Sequence, residues 1–541
     1  MWMCGSRGKD NTETGIVEEI GLENCYRNPT KNYFIWDTVL YDFARREKNL
    51  TLLLNCTCMD AETEQGEFAN GRTIRIRRVT GYQLTTQTFW DVEAKLYADC
   101  SGDSILAPLT GAEFRQGREA AAEFGELSTT VEQDDRTMGM SCLIQGRQTE
   151  REIKFTPPEW SLKIDKEMIR GDGDRYPTHQ NYWYLELGGE QDTIHDTEKI
   201  TEQLIPLAVG TWDYVKNSGE FDTKNWELEF LGFLPGKRES RRLMGEYMVT
   251  QLDISADRQY PDTVAYGGWP LDDHYPGGFF HRGAPNTNYE TPGPYPLPYR
   301  ALYSRNVENL YFAGRNISVT HMALSSVRVM KPCGLFGQAI GTAAAIAVQK
   351  NLTPHGVYEN ALEELQQRLM EDDSFLPGFT RKIAPECKTA VLTGGSDALR
   401  DGQDRPNRIY KTETCGDIVQ NGAKICYELQ NPTQVEGIHL VFDSDLNRET
   451  LPGDSYERRL FTRANVLLDS PQTYLPKTLC AEFELWAETE NGEEILLKKV
   501  TENRLRAHDV LVGQKLKKIW LVIQKTWGET EQTNLFSFDF R

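Results

Sequence analysis

The chain is 541 residues long and carries 81 acidic against 60 basic residues, a formal net charge of −21. That balance argues against nucleic acid and against anionic membrane surfaces as main partners, because both are polyanions. Hydrophobic residues at 39% and charged residues at 26% are ordinary for globular domains, and the length suits two or three of them.

No apolar run reaches the ~18 residues of a membrane helix. No long apolar segment follows the opening MWMCGSRGKD, so a secretory leader is not expected and a cytoplasmic location is. The 11 cysteines are scattered, and the close pair is Cys56 and Cys58. There is no CxxC and no zinc spacing, so no metal is expected. Reduced thiols are the plainer expectation and a redox-active pair the sharper one.

In chain order, the start CGSRGKDNTETGIVEEI lacks the strand and G-x-G-x-x-G turn of a dinucleotide-binding unit, and that string occurs nowhere in the chain. Gly171-Asp172-Gly173 is the nearest match and sits in a polar loop. Asn28-Pro29 caps an amphipathic stretch to about Lys48, with Trp36, Val39, Leu40 and Phe43 at helical spacing. Thr51 to Cys58 reads as a buried strand. Thr73–Val79 and Leu84–Trp90 read as a hairpin, and Glu93–Ala98 as a strand ending in Asp99-Cys100-Ser101-Gly102-Asp103. From about Gly125 to Arg300 aromatics, Pro and Gly are dense. Asn181–Gly189 reads as a strand there, and Thr197–Gly219 as a helix interrupted at Pro206. Gly267–Gly283 and Pro294–Ser304 read as long loops, which are usually functional.

Leu310–Ala313 is a short apolar run of buried-strand type, followed by Gly314 where the chain must turn sharply. Past Pro332, the spacing Gly334, Gly337, Gly341 opens a helix of small residues. A helix start of this kind either packs closely in a core or approaches an anion. Tyr358–Glu371 reads as a final helix and Asp372–Pro385 as a linker. From about Thr389 to Arg541 short alternating strands dominate, separated by turns such as Asn491-Gly492, which indicates a β-sandwich.

NLYFAGRNIS, SSVRVM and GLFGQAIGTAAAIA together resemble the C-terminal flavin motif of FAD-dependent oxidoreductases with the glutathione-reductase-type two-dinucleotide-binding fold. DCSGDSILAPLTGAEFRQGRE and LGFLPGKRESRRLMGEYMVTQLDI resemble further segments of the same family, over roughly residues 1 to 370. The resemblance implies FAD as cofactor, with Gly314, Arg315 and Asn316 lining the flavin and Gly337 and Gln338 on the helix beneath it. It implies close approach at Gly102, while Asp103 either caps the following helix or meets cofactor hydroxyls. It also implies that the first βαβ unit is missing.

The expected fold class is therefore α/β, an incomplete FAD-binding Rossmann-like domain with an inserted α+β substrate domain, plus a C-terminal all-β sandwich. The expected boundaries are 1–125 and 305–371 for the flavin domain, 126–304 for the substrate domain and 386–541 for the sandwich. The sandwich resembles galactose-binding, discoidin-like domains, which implies carbohydrate as a partner or a purely structural role.

FAD accepts a hydride, so the protein must orient a substrate and take a proton from it. His274, beside Asp272 and Asp273, and His321 are the candidate acceptors, since a neighbouring carboxylate orients an imidazole. Arg238 and Arg328 are candidates to hold a carboxylate or the charge of the reduced flavin. The expected function is hydride transfer from a small polar substrate, a sugar or hydroxy acid. The competing expectation is a carbohydrate-binding or structural protein whose truncated flavin domain is inert.

Overall fold

A computed structural model describes residues 5–6, 11–126, 130–169, 182–406, 415–444, 446, 465–469 and 472–541. The segment Gly171–Gly173 and the start of the expected strand Asn181–Gly189 lie outside the described residues, and Glu186–Leu187 is the strand seen in that region.

The first body is built on two short parallel strands, Tyr97–Asp99 and Leu310–Phe312, paired Leu310↔Tyr97 through Phe312↔Asp99. Leu310, Tyr311 and Phe312 are fully buried, as an uninterrupted apolar run in a parallel pair should be. Helix Met330–Lys350 packs against them and buries Leu335, Phe336, Ala339, Ile340, Ala343, Ile346 and Ala347. That spacing follows the 3.6-residue period, so one apolar face meets the core. Helix Tyr33–Arg45 starts later than expected, with Asn32 Oδ1 accepting from Phe34 N at its N-cap. The final helix divides into Pro354–Asn360 and Leu362–Glu371.

A three-stranded antiparallel sheet, Cys56–Gln65, Ile74–Gln83 and Thr88–Glu93, contains the expected hairpin. Of the buried strand expected over Thr51–Cys58, only Cys56–Cys58 is in a strand. Leu50, Leu52 and Leu54 are 51%, 43% and 49% exposed, and pairing begins at Cys56. An apolar run is buried only where a neighbour covers it, and no described strand lies beside these leucines.

In the middle body, helix Thr197–Asn217 runs unbroken through Pro206. The carbonyl of Pro206 accepts from Leu162 N at 3.0 Å, so this turn is supported from outside the helix. The two expected loops are also more ordered than their composition suggests. Leu271–His274 pairs with Asn286–Tyr289, and Tyr295–Pro298 pairs with Thr263–Gly267. Each ladder has only two strands, so Pro296 and Pro298 need donate nothing outward.

The C-terminal body is a seven-stranded, all-antiparallel β-assembly organised by two long strands, Lys424–Phe442 and Ala507–Thr526. Strand Gln532–Phe540 is buried on both faces. Leu535, Phe538 and Phe540 enter the main core, while Phe536 joins a second cluster with Cys415 and Val441. Sequence alternation made these strands legible, and they enclose a continuous apolar core, as a β-sandwich does.

Residues 372–385, expected as a linker, are packed. Leu376, Arg381 and Ile383 are buried. Arg381 pairs with Asp404 at 2.8 Å and with Asp539 at 2.7 Å. Buried Arg506 pairs with Asp373 and lies 3.9 Å from Glu18, both on the flavin side, while Ser444 Oγ donates to Glu18 at 2.8 Å. The sandwich also reaches the middle body. Asn465–Val466 pairs in parallel with Gly146-Arg147, extending the sheet whose other strand is Trp226–Leu231.

Candidate functional site

The two parallel strands end at Gly102 and Gly314, with φ of 74° and 118°. Only glycine adopts these values readily, and the turns bring Arg315 back across Gly102. A Cβ at Gly102 would lie 1.6 Å from Arg315 Nη1. Arg315 Nη2 donates to Asp103 Oδ1 at 2.7 Å, Lys237 Nζ donates to Asp103 Oδ2 at 2.8 Å, and Ser240 Oγ donates to Asp103 Oδ1 at 2.7 Å. Burial disfavours the charged form of Asp103. The Arg315 guanidinium and the hydrogen bonds from Lys237 and Ser240 outweigh it and hold the carboxyl below its usual range.

Asp103 does not cap the following helix. Asp99 does: its Oδ2 accepts from Leu106 N at 2.8 Å, and its Oδ1 accepts from Ser101. Asn316 Nδ2 donates to the Asp99 carbonyl at 3.2 Å and so ties the two strand ends together.

Of the two helix residues expected beneath a flavin, Gly337 has nothing within 4 Å of a built Cβ, and the same holds for Gly341 one turn on. Gln338 is committed elsewhere. Its Oε1 accepts from Ile16 N and its Nε2 donates to the Asp372 carbonyl, both at 3.0 Å. It braces the start of helix Ile16–Arg27 rather than facing the strand ends.

Both histidines are buried and each bridges two carboxylates. His321 opens helix His321–Val327, whose Thr320 cap accepts from Ala323 N. Its Nδ1 lies 2.9 Å from Glu239 Oε2 and its Nε2 lies 3.0 Å from Asp273 Oδ1. Burial alone would lower its pKa; Glu239 and then Asp273 overcome that and raise it to about 10. At neutral pH the ring already carries its second proton, so it donates rather than accepts.

On the opposite side of strand Leu271–His274, His274 Nδ1 lies 2.6 Å from Glu186 Oε2 and Nε2 lies 3.3 Å from Asp272 Oδ2. The alternation of a strand sends Asp272 and His274 one way and Asp273 the other. Arg238 Nη1 lies 3.2 Å from Glu186, and Arg238 Nη2 donates to Ser141 Oγ. Arg328 Nη2 donates to the Asp272 carbonyl at 3.0 Å. Burial would raise Glu186, but Arg238, His274 and Arg328 keep it ionised and below its ordinary value.

The partners Glu186, Lys237, Glu239 and Ser240 were not expected from sequence. The segment Lys237–Arg242 joins both groups. Lys237 and Ser240 meet Asp103, Arg238 meets Glu186, Glu239 meets His321, and Arg242 pairs with Glu119 at 2.9 Å. Its density of charge in a non-periodic stretch was the available signal.

The residues fit a flavin. Asn316 Oδ1, Arg315 Nε and Arg328 Nε are buried polar atoms with no hydrogen-bond partner among the described residues. Burial pushes the Cys333 thiol, near the start of helix Met330–Lys350, up to about 12, and the charges of Arg315 and Arg328 partly oppose this. Two buried donors and one acceptor, beside an open glycine strip, suit the polar edge of a planar heterocycle. Arg315, Asn316 and Gly337 would hold it.

No curated protein matches the chain. Among solved structures, the family 32 carbohydrate-binding module of Streptococcus pneumoniae EndoD is 12% identical, covering 28% of this chain and 95% of the module, with a TM-score of 0.20. The Clostridium perfringens CpGH89CBM32-4 module, solved with glcNAc-alpha-1,4-galactose, is 11% identical over 28% of this chain and 88% of its own, with a TM-score of 0.18. A two-domain protein from Bacteroides fragilis is 9% identical over 30% of this chain and 44% of its own, with a TM-score of 0.20. The model of the family described as FAD dependent oxidoreductase matches residues 2–369. This covers both strand ends, both histidines and the segment joining them, and the chain belongs to the FAD-dependent oxidoreductase family.

Proposed function

We propose that the chain oxidises a small polar substrate, a sugar or hydroxy acid, with FAD as the acceptor. The observation that carries this reading is the segment Lys237–Arg242. It fixes Asp103 and Arg315 at the strand ends and, two residues away, His321 through Glu239. Cofactor-side and proton-handling groups are thereby held in one rigid unit.

FAD, when bound, accepts the hydride equivalent. His321, charged up to a pH of about 10, spends both N–H groups on Glu239 and Asp273 and so holds those two carboxylates in place. His274 is the proton acceptor, oriented by Glu186 at Nδ1. Arg328 presents an unpartnered buried Nε–H, which suits an anionic or carboxylate group. Arg238 is engaged with Glu186, Ser141 and the Trp183 carbonyl, so it positions Glu186 rather than holding substrate.

The test is FAD titration of the full chain followed by anaerobic reduction with glucose and with glycolate. Flavin absorbance at a one-to-one ratio and bleaching by one of the two are expected. His274→Gln should slow bleaching by about 10²–10⁴-fold. A chain that takes up no FAD, or a His274→Gln variant as fast as the parent, overturns the proposal.

A further inference from the structure

Away from the strand ends, three bodies meet around a cleft of about 480 Å³. Its walls are the start of helix Tyr33–Arg45, the strands Ile144–Gln148 and Trp226–Leu231, and the segment following Asn465–Val466. The volume lies within the range of small-molecule sites. The cleft exists because the sandwich lends a strand to the middle sheet: Gly146 N donates to Asn465 Oδ1 at 3.1 Å, and Leu468 N donates to Gln148 Oε1 at 3.2 Å.

The lining has an unusual polarity. Its ion pair, Arg147 with Glu229 at 2.6 Å, is closed on itself, and Lys31 adds one positive charge to the lining. Beside Lys31, Thr30 and Tyr33, the polar side chains that line the cleft are amides. Gln145 is only 6% exposed, lines the cleft and makes no side-chain hydrogen bond among the described residues. Its amide is therefore available to a ligand hydroxyl. Gln148 uses its oxygen on Leu468 N and Asn32 uses its oxygen on Phe34 N, and among the described residues neither NH₂ group has a partner. Gln472 adds a fourth amide from another wall. At the lip, Phe34 is 71% exposed. Below it, Tyr33 and Phe230 pack with ring centroids 6.0 Å apart.

Neutral amides that both donate and accept match hydroxyl groups, which do the same. An exposed aromatic ring matches a flat C–H face. Amides on several walls suit groups radiating around a ring, whereas a nucleobase would present its polar edge to one wall and call for a second ring to sandwich it. We propose that this cleft is a binding site for a neutral sugar, stacked on Phe34 and hydrogen-bonded by Gln145, Gln148, Asn32 and Gln472. The site is independent of the flavin reading, and it needs all three bodies in place.

The experiment is saturation-transfer NMR on the full chain with D-glucose, D-galactose and N-acetyl-D-glucosamine in turn, and with adenosine and D-glucuronate alongside. At least one neutral sugar should show transfer, and Phe34→Ala should reduce it at least tenfold. Phe34 is exposed, so its removal leaves the fold intact, which an unchanged melting temperature checks. Gln145→Ala should weaken the same signal. The proposal is overturned if none of the three sugars shows transfer, if transfer survives Phe34→Ala, or if only adenosine or glucuronate gives a signal that Phe34→Ala removes.

Discussion

Replacing Asp273 with Asn removes one of the two carboxylates that hold His321 charged, at Nε2 and 3.0 Å away. In the parent the pKa rises from 6.5 to about 10, the cost of burial being outweighed by the two carboxylates. The charge of Glu239 is the largest raising cause, and Asp273 adds both charge and a hydrogen bond. One opposite charge at this range moves a pKa by about 1–3 units, so Asp273→Asn should bring His321 down by about that much. Glu239→Gln should bring it down as well. The folded-state value lies above the unfolded one, so this histidine's contribution to stability is complete below pH 6.5 and is lost as the pH climbs to about 10. The assay is NMR titration of ¹⁵N-histidine-labelled protein, with His321→Gln identifying the resonance. A parent ring that titrates near 6.5, or an Asp273→Asn ring that titrates where the parent does, refutes the reasoning.

Further outcomes follow from other contacts. Gly102→Ala should displace Arg315, because its Cβ would lie 1.6 Å from Nη1 at a φ of 74°; a loss of about 1–3 kcal/mol in denaturant unfolding is expected. Asp373→Asn leaves fully buried Arg506 short of an anionic partner, with an expected cost of about 3–5 kcal/mol by the same measurement. Burial raises Glu18 to about 8 and Asp373 to about 6, so the folded chain holds protons that the unfolded chain releases, and stability falls as pH rises through those values. Together with His321, this makes the melting temperature decline from pH 6 to pH 9; a flat or rising profile would count against it.

Much of the fold was legible because period and composition are local properties. The buried strand at Leu310, the small-residue helix after Val329 and the sandwich strands all announce themselves within a dozen residues. The site was legible only in part. His274 and His321 stood out beside polar neighbours, but Glu186 and Glu239, which determine how each ring behaves, lie 88 and 82 residues away in sequence. Capping shows the same limit. Asp103 reads as a cap on paper, yet Asp99 takes the Leu106 amide while Arg315 and Lys237, both distant in sequence, engage Asp103. Thr51–Leu54 went astray because apolar content signals a wish for burial, not the presence of a neighbour to supply it.

The strand that the sandwich lends to the middle sheet has a consequence for synthesis. Asn465 bonds to Gly146 across 319 residues of chain. A ribosome adding about 5–20 residues per second needs roughly 16–64 s to make that length. Through that interval the edge of strand Ile144–Gln148 stays open, and for its later part, once residue 231 is made, the middle body has its helix and its other strand in hand. Newly made chains therefore pass through a stage with an unpaired β-edge that a neighbouring nascent chain could occupy. Chaperone capture would concentrate there, and slowing translation past residue 150 should lower the yield of soluble protein more than slowing it past residue 470.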